Sequence, residues 1–410
     1  MSSRRKALKT ISALPLVGGM LGPSILGATS SKVASKLACP ITEPLKRDFF
    51  KELGIRTFIN AAGTYTSMTG SLMHKEVTEA INYGATEYVN LDELHDKVGD
   101  RIAELLDCEY ATVSSGCFGA MTIGLAGVMC GTDTKKVAQL PDTTGIKDEV
   151  IVQEAHAIGY THALINTGAK IVSVKTAKDL EKAITKNTAM LWYLNANTDA
   201  GDIKWEEFVA LGKKHNIPTF IDCAADVPPV DNLFKFTKMG FDLVAFSGGK
   251  GIRGPQSAGL LLGKRKYIEA ARLHTPPRGT TIARGMKVNK EEVLGMLVAL
   301  ELYLGRDHDK EWELWENQIK LISDSAKSVK GVETKIHVPP YANHVPSLKI
   351  HWDESVVKIS KDEMRKQLRD GHPSIETVGN KKEVGITTWM MEPGQERIVA
   401  SRVKEILENA

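Results

Sequence analysis

The sequence has little cysteine, no dominant sign of charge and no apolar run able to cross a bilayer. Its five cysteines, Cys39, Cys108, Cys117, Cys130 and Cys223, are odd in number and share no spacing. That argues against a disulfide framework and against a zinc site, and no metal is expected. The internal ones sit beside apolar or small residues and read as packed thiols. Lys and Arg number 53 against 50 Asp and Glu, a net charge of +3, so nothing points to nucleic acid or an anionic surface as a partner. Internal repeats and low-complexity linkers are missing as well. What remains is ordinary for a globular chain, with 42% hydrophobic and 25% charged residues. At 410 residues the chain exceeds one ordinary core, so a large and a small domain are expected.

The first residues read separately from the rest. Arg4-Arg5 is followed by a weakly apolar stretch, Ile11 to Leu26, broken by Pro15, Gly18, Gly19, Gly22 and Pro23. This resembles a twin-arginine export signal and implies a periplasmic destination. The alternative is the basic N-terminus of a cytoplasmic protein. The stretch is too short and too broken for a membrane span. Cleavage would suit Gly27-Ala28 or Val33-Ala34-Ser35. Lys36-Leu37-Ala38-Cys39 lacks the leading leucine of a lipoprotein box, which argues against lipidation. The organisation expected is a signal and spacer over 1–40, an N-terminal segment over 41–90, a large domain over 91–305, and a linking helix with a small C-terminal domain over 306–410.

Within the large domain, strands and helices alternate. Strands are expected at Tyr110–Val113, Glu149–Glu154, Lys170–Val174, Ala189–Leu194, Thr219–Ile221, Phe241–Phe246 and Ala258–Leu262. Helices are expected over Val77–Val98 continuing to Leu106, Ser114–Val128, Ile158–Thr167, Ala177–Thr185, Trp205–His215 and Lys290–Leu304. The rhythm predicts an α/β fold with a mostly parallel sheet and helices on both faces. The last third reads as a long helix near 307–329, then strands at Ser347–Trp352 and Glu383–Thr388 flanking a helix over Lys361–Asp370, and a final helix, Glu396–Glu408. Ligands of such sheets lie beyond the C-terminal strand ends. Ser115, His156, Asn195, Asn197, Asp222, Ser247 and Lys250 all fall there and are expected to converge.

The chemistry centres on Phe241 to Lys264, a strand, a Gly-rich turn holding Lys250, and a second apolar strand. A lone amine on a tight turn at a strand end is how a Schiff-base lysine is presented, so Lys250 is the candidate carrier of pyridoxal phosphate. The competing reading is a solvated turn lysine. Ser114-Ser115-Gly116-Cys117 joins a strand to a helix N-terminus, where unpaired N–H groups and the helix dipole favour a phosphate. Small residues there also suit close helix packing. Asp222 ends a strand and is placed either to keep a pyridinium nitrogen protonated or to cap a helix. His156 either stacks on the cofactor ring or is a satisfied polar residue. Asn197 either meets the cofactor's phenolic oxygen or builds a turn. Asn60 and Thr64, at the end of an apolar segment, are available for polar contacts.

The residues Arg56 to Gly63, Leu91 to Gly99, Ser114-Ser115-Gly116, Ile221 to Ala225, Phe246 to Gln256 with its SGGKGIRGPQ run, and Ile282 to Val288 carry a resemblance. The chain is similar to fold-type I pyridoxal-phosphate enzymes of the selenocysteine synthase-like branch, on the side of the D-glucosaminate-6-phosphate ammonia-lyase-type members. That resemblance implies an aminotransferase-like fold with a seven-stranded-type sheet, Lys250 as the Schiff-base lysine and Asp222 as the pyridinium partner. It implies Ser115, Gly116, Cys117 and Ser247 around the phosphate; Ala224, His156 and Asn197 are the further cofactor-binding candidates. Arg253, Arg284 and Lys287, with Asn60 and Thr64, become substrate candidates; Arg284 and Lys287 read equally as solvated charge. A homodimer or higher homo-oligomer is implied too. Tyr65 to Ser71 replaces the HTNLGR stretch of selenocysteine synthases, and the export signal stands where their tRNA-binding region would be. A tRNA substrate is therefore not expected.

The expected reaction is removal of the α-proton from an amino acid or amino-sugar acid, then loss of a β-hydroxyl, giving a 2-keto acid and ammonia. Racemase, aldolase or aminotransferase chemistry would use the same residues. A non-catalytic exported binder is the reading of a different class. Twin-arginine export carries folded proteins, which suits an enzyme loaded with its cofactor before export.

Overall fold

The computed structural model describes residues 47–410. The signal and spacer expected over 1–40 lie outside the described residues. By its internal contacts the chain divides at Thr57. The described part of the first unit holds one short helix, Phe49–Glu52, whose N-cap Asp48 accepts from the Lys51 N–H.

The second unit, Phe58–Ala410, opens with β1 (Phe58–Asn60). A seven-stranded sheet follows, made of β2 (Tyr110–Ser114), β3 (Glu149–Gln153), β4 (Lys170–Val174), β5 (Thr188–Leu194), β6 (Thr219–Asp222), β7 (Leu243–Ser247) and β8 (Gly259–Gly263). Their order is β2-β8-β7-β6-β5-β3-β4. Neighbours from β4 to β7 are parallel, and β8 runs against both β7 and β2. The mostly parallel sheet expected from the β-α rhythm is thus borne out. All of β5 is buried, as a strand covered on both faces must be. One cover is the helix Gly116–Cys130 with Arg265–Arg272; the other includes Leu91–Leu106, Trp205–His215 and Lys290–Leu304. Each fully buried Leu, Val or Phe contributes about 1.5–3 kcal/mol, so these two layers fix the strand ends rigidly.

Two helices differ from expectation. The helix expected over Val77–Val98 is two, Lys75–Ala85 and Leu91–Leu106, because Asn90 caps the second by accepting from the Glu93 N–H at 3.0 Å. The helix expected after β3 shrinks to the short turns Gly159–Thr161 and His162–Ile165. The Thr161 and Thr167 hydroxyls donate to the carbonyls of Ile158 and Leu164, at 2.8 and 2.7 Å. Such local bonds compete with the helical ladder.

The C-terminal part builds a second, antiparallel sheet from β9 (Val332–His337), β10 (Ser347–Trp352), β12 (Val378–Gly379) and β13 (Val384–Thr387). Its core face packs Leu348, Ile350 and Ile386 against the helices His308–Lys327, Lys361–Asp370 and Gln395–Glu408. The separate strand β11 (Ser374–Glu376) pairs in parallel with β1, and the Thr387 N–H donates to Ala61 O at 2.9 Å. The segment after β1 is thereby carried between the two sheets.

Candidate active site

A cavity of about 730 Å³ opens where the C-terminal ends of β2, β6 and β7 face the second sheet. It has the size and mixed lining of a small-molecule site. Lys250 lies on its wall, on the loop joining β7 to β8, and its Nζ donates to Ala224 O at 3.2 Å. The loop is held by backbone bonds from Gly248 N–H to Ala258 O at 2.8 Å and from Gly254 N–H to Gly248 O at 2.9 Å. It also needs glycine at 251, where a Cβ would stand 2.3 Å from Val227 O.

Asp222, at the end of β6, is 2% exposed. Its Oδ1 accepts from the Ala224 N–H at 2.9 Å and from the Cys117 thiol at 3.3 Å. Its Oδ2 has no partner among the described residues. Burial raises the carboxyl above its usual range, against the pull of the Ala224 N–H, the Cys117 thiol and the Lys250 charge. A buried carboxylate with one oxygen anchored and the other free is placed to meet a cation. Burial, and then the Asp222 charge, push the Cys117 thiol well up, so it stays protonated and remains a donor.

The helix Gly116–Cys130 starts at the same cavity. Gly116 has φ +65°, the left-handed region that favours glycine, at the turn from β2 into this helix. Gly116, Cys117 and Phe118 line the cavity, and a first helical turn leaves its N–H groups without intrahelical acceptors. Ser247 joins them on the wall. An amine, a buried carboxylate and an N-terminal helix turn with a hydroxyl fit pyridoxal phosphate: amine to aldehyde, carboxylate to ring nitrogen, turn to phosphate.

The expected residues divide. Lys250, Asp222, Gly116, Cys117, Ala224, Ser247 and Thr64 line the cavity. Ser115 is the N-cap of the helix and faces a separate small enclosed space beside His95 and Arg272. Cys117, expected at the phosphate, turns its thiol to Asp222 instead. His156 is fully buried behind the wall; its Nδ1 accepts from the Leu194 N–H and its Nε2 bonds Asn197 O, both at 3.2 Å. Burial lowers its pKa to about 4, so it is a neutral strut. The Asn197 side chain donates to Ala155 O at 2.6 Å, locking the same corner. Asn60 closes its own turn, accepting from the Ala62 and Gly63 N–H groups at 3.0 and 2.9 Å. Arg253 donates to Trp389 O at 2.8 Å, which ties the lysine loop to the segment that follows β13. Arg284 and Lys287 lie off the cavity wall.

Other lining residues escape a sequence reading. Asp226 lies four positions beyond Asp222 and accepts from the Ala342 N–H at 2.9 Å; burial pushes its carboxyl up to about 6. The second sheet adds His337, Lys349 and Glu383. Alternation along β10 puts Lys349 opposite Leu348 and Ile350, which marks a polar face. Nothing in the pattern says what that face meets.

Known proteins bear on this geometry. The family profile described as SelA: L-seryl-tRNA selenium transferase matches residues 58–360, more than half of the chain. D-glucosaminate-6-phosphate ammonia lyase of Salmonella typhimurium is 25% identical over 379 residues, covering 88% of this chain and 99% of the relative. 5'-C-glycyluridine monooxygenase-decarboxylase of a Streptomyces species is 26% identical over 375 residues, covering 87% and 92%. A solved D-glucosaminate-6-phosphate ammonia-lyase structure superposes with a TM-score of 0.78 at 24% identity, over 89% of this chain and 100% of that one. The fold is that of the fold-type I pyridoxal-phosphate enzymes.

Proposed function

This chain belongs to the L-seryl-tRNA selenium transferase family, and we propose that it is a pyridoxal-phosphate-dependent ammonia-lyase acting on a small hydroxylated amino acid or amino-sugar acid. The observation that carries the reading is the meeting of Lys250 and the buried Asp222 on one cavity beside a helix N-terminus. The full-length match to a D-glucosaminate-6-phosphate ammonia lyase supports it.

Bound through Lys250, the cofactor supplies an electron sink for a carbanion at the substrate's α-carbon. Asp222 Oδ2 would hold a proton at the ring nitrogen, while the Ala224 N–H and the Cys117 thiol keep Oδ1 fixed. With the cofactor bound, Lys250 Nζ would be placed to take the α-proton as general base. The first-turn N–H groups of the helix and Ser247 would hold the phosphate. A β-hydroxyl departs, and the net conversion of a CH(OH)–CH(NH₂) unit to CH₂–C(=O) releases one ammonia. His156 and Asn197 brace the wall, and Arg253 keeps the lysine loop against the segment that follows β13.

Export through the twin-arginine pathway to the periplasm is part of the proposal, supported by Arg4-Arg5 and the broken apolar stretch after them. Among the described residues no helix is long and apolar enough to cross a membrane. We also propose a homo-oligomer; exposed Leu72, Tyr83, Tyr88 and Val89 in one segment support an apolar contact surface. The Streptomyces relative's name favours a second reading, oxidative decarboxylation of a glycyl-type substrate. Incubating the loaded protein with hydroxylated amino acids and aldonic amino acids, with ammonia, keto acid and carbon dioxide all measured, separates the two. Ammonia and keto acid in equal amounts support the lyase. Carbon dioxide with oxygen uptake supports the other reading, and silence across the panel favours a binder.

A further inference from the structure

The cavity wall opposite Lys250 belongs to the antiparallel sheet, and its charges decide what kind of substrate fits. Among the described lining residues the cationic side chains are Lys250 and Lys349, and the carboxylates are Asp222, Asp226 and Glu383. In the proposed function Lys250 serves the cofactor and Asp222 its ring nitrogen. Asp226 is held by Ala342. That leaves Lys349 and Glu383 to meet a substrate.

Lys349 sits in mid-β10, in register with Gly385 of β13 and Lys335 of β9. Gly385 has no side chain to cover the lysine stem, so the amine stands clear on the wall. Lys349 Nζ is 2.9 Å from Glu383 Oε1. An ammonium has three donors, so this pair leaves two for a ligand. Lys335, across from Lys349 on β9, is exposed and lies off the cavity lining. His337 sits beside them with Nδ1 3.1 Å from Ser347 O, and burial and then the Lys349 charge lower its pKa, so it brings no competing cation at neutral pH. The rest of the wall offers neutral hydroxyl readers: Tyr65, Tyr160, Gln256, Asn343 and Asn380.

Building on the proposed function, we infer that Lys349 is the partner of the substrate's carboxylate, and that the substrate is a polyhydroxylated amino acid with that single carboxylate and no phosphate. A terminal phosphate would find no further cation on the described wall. The neutral readers suit hydroxyl groups, and Glu383 is placed to accept from one of them.

The test is a cycle between protein and ligand charge. D-gluconate and its uncharged amide, D-gluconamide, are titrated calorimetrically into the native protein, Lys349→Met and Lys349→Arg, each with and without pyridoxal phosphate. Native protein should prefer gluconate by roughly tenfold, the scale of a charged hydrogen bond. Lys349→Met should bring the ratio to about one, and Lys349→Arg should restore most of it. A ratio unchanged in Lys349→Met, or no preference in the native protein, overturns the assignment. A loaded enzyme that turns over D-glucosaminate 6-phosphate faster than D-glucosaminate overturns the substrate class. Cofactor uptake is read separately by absorbance near roughly 420 nm. Its absence from native protein sinks the functional reading, while the gluconate ratio of the unloaded protein still decides the role of Lys349.

Discussion

Replacing Asp226 with asparagine should remove a pH dependence from the stability of this protein. Asp226 is 2% exposed and burial pushes its carboxyl up to about 6. An unfolded aspartate titrates near 3.9, so the shift is about two units, worth roughly 3 kcal/mol as an upper bound. Below the ordinary value, folded and unfolded chains both hold the proton, and the stabilising contribution is whole. Between about 4 and about 6 the folded chain keeps a proton that the unfolded chain has released. Folding then takes up a proton, and stability falls as the pH rises. Above about 6 the loss is complete. An asparagine side chain at this position keeps an oxygen for the Ala342 N–H, now 2.9 Å from Asp226 Oδ1. It cannot also accept from the Asn195 side chain, which bonds the aspartate and whose own oxygen is taken by Trp205 Nε1 at 2.9 Å. The substitution therefore has a pH-independent cost of about 1 kcal/mol, read as an offset and not as a slope. Urea unfolding of both proteins at half-unit steps from pH 4 to 8 gives the difference curve. It should move in favour of the asparagine variant by about 2–3 kcal/mol between pH 4 and 7. A flat difference across that range would refute the burial argument for Asp226.

Cys117→Ala deletes the thiol donor to Asp222 Oδ1, 3.3 Å away, and should weaken pyridoxal phosphate binding roughly tenfold in a fluorescence titration, with Cys117→Ser close to native. Equal affinity in all three proteins would remove the thiol from the cofactor site. Gly251→Ala puts a methyl group 2.3 Å from Val227 O, a backbone clash that only a shift of the lysine loop relieves. Its cost in unfolding free energy should be about 1–3 kcal/mol, with cofactor uptake impaired; a variant with native stability and uptake would mean the approach is looser than the structure has it.

Much of this architecture is written in local pattern. The strand-helix rhythm from Tyr110 to Gly263 is strong because buried parallel strands are continuous apolar runs, and Lys250, Asp222 and Gly116 are legible because each follows such a run at a turn. His156 and Asn197 follow strand ends as well, yet His156 turns to the Leu194 N–H and the Asn197 carbonyl, and Asn197 to the Ala155 carbonyl. Position along the chain brings a residue to a strand end and leaves the side chain's direction to its neighbours. Asp226 hides one turn beyond a residue that already explains its segment. Lys349 lies on β10 and Glu383 just ahead of β13, far along the chain, and only the packing of the second sheet over the first makes them part of the site. The helix break at Asn90 is a capping event that the continuous apolar pattern masks.

The central claim is that Lys250 carries the cofactor opposite a paired, buried Asp222. It is tested most directly by titrating pyridoxal phosphate into the native protein and Lys250→Ala, followed by borohydride reduction and mass measurement. The native protein should take up one equivalent, absorb near roughly 420 nm and retain the reduced cofactor on the peptide that contains Lys250, whereas Lys250→Ala should show neither the band nor the mass increase. Reduced cofactor on another lysine, or the same band and mass in Lys250→Ala, would contradict the account.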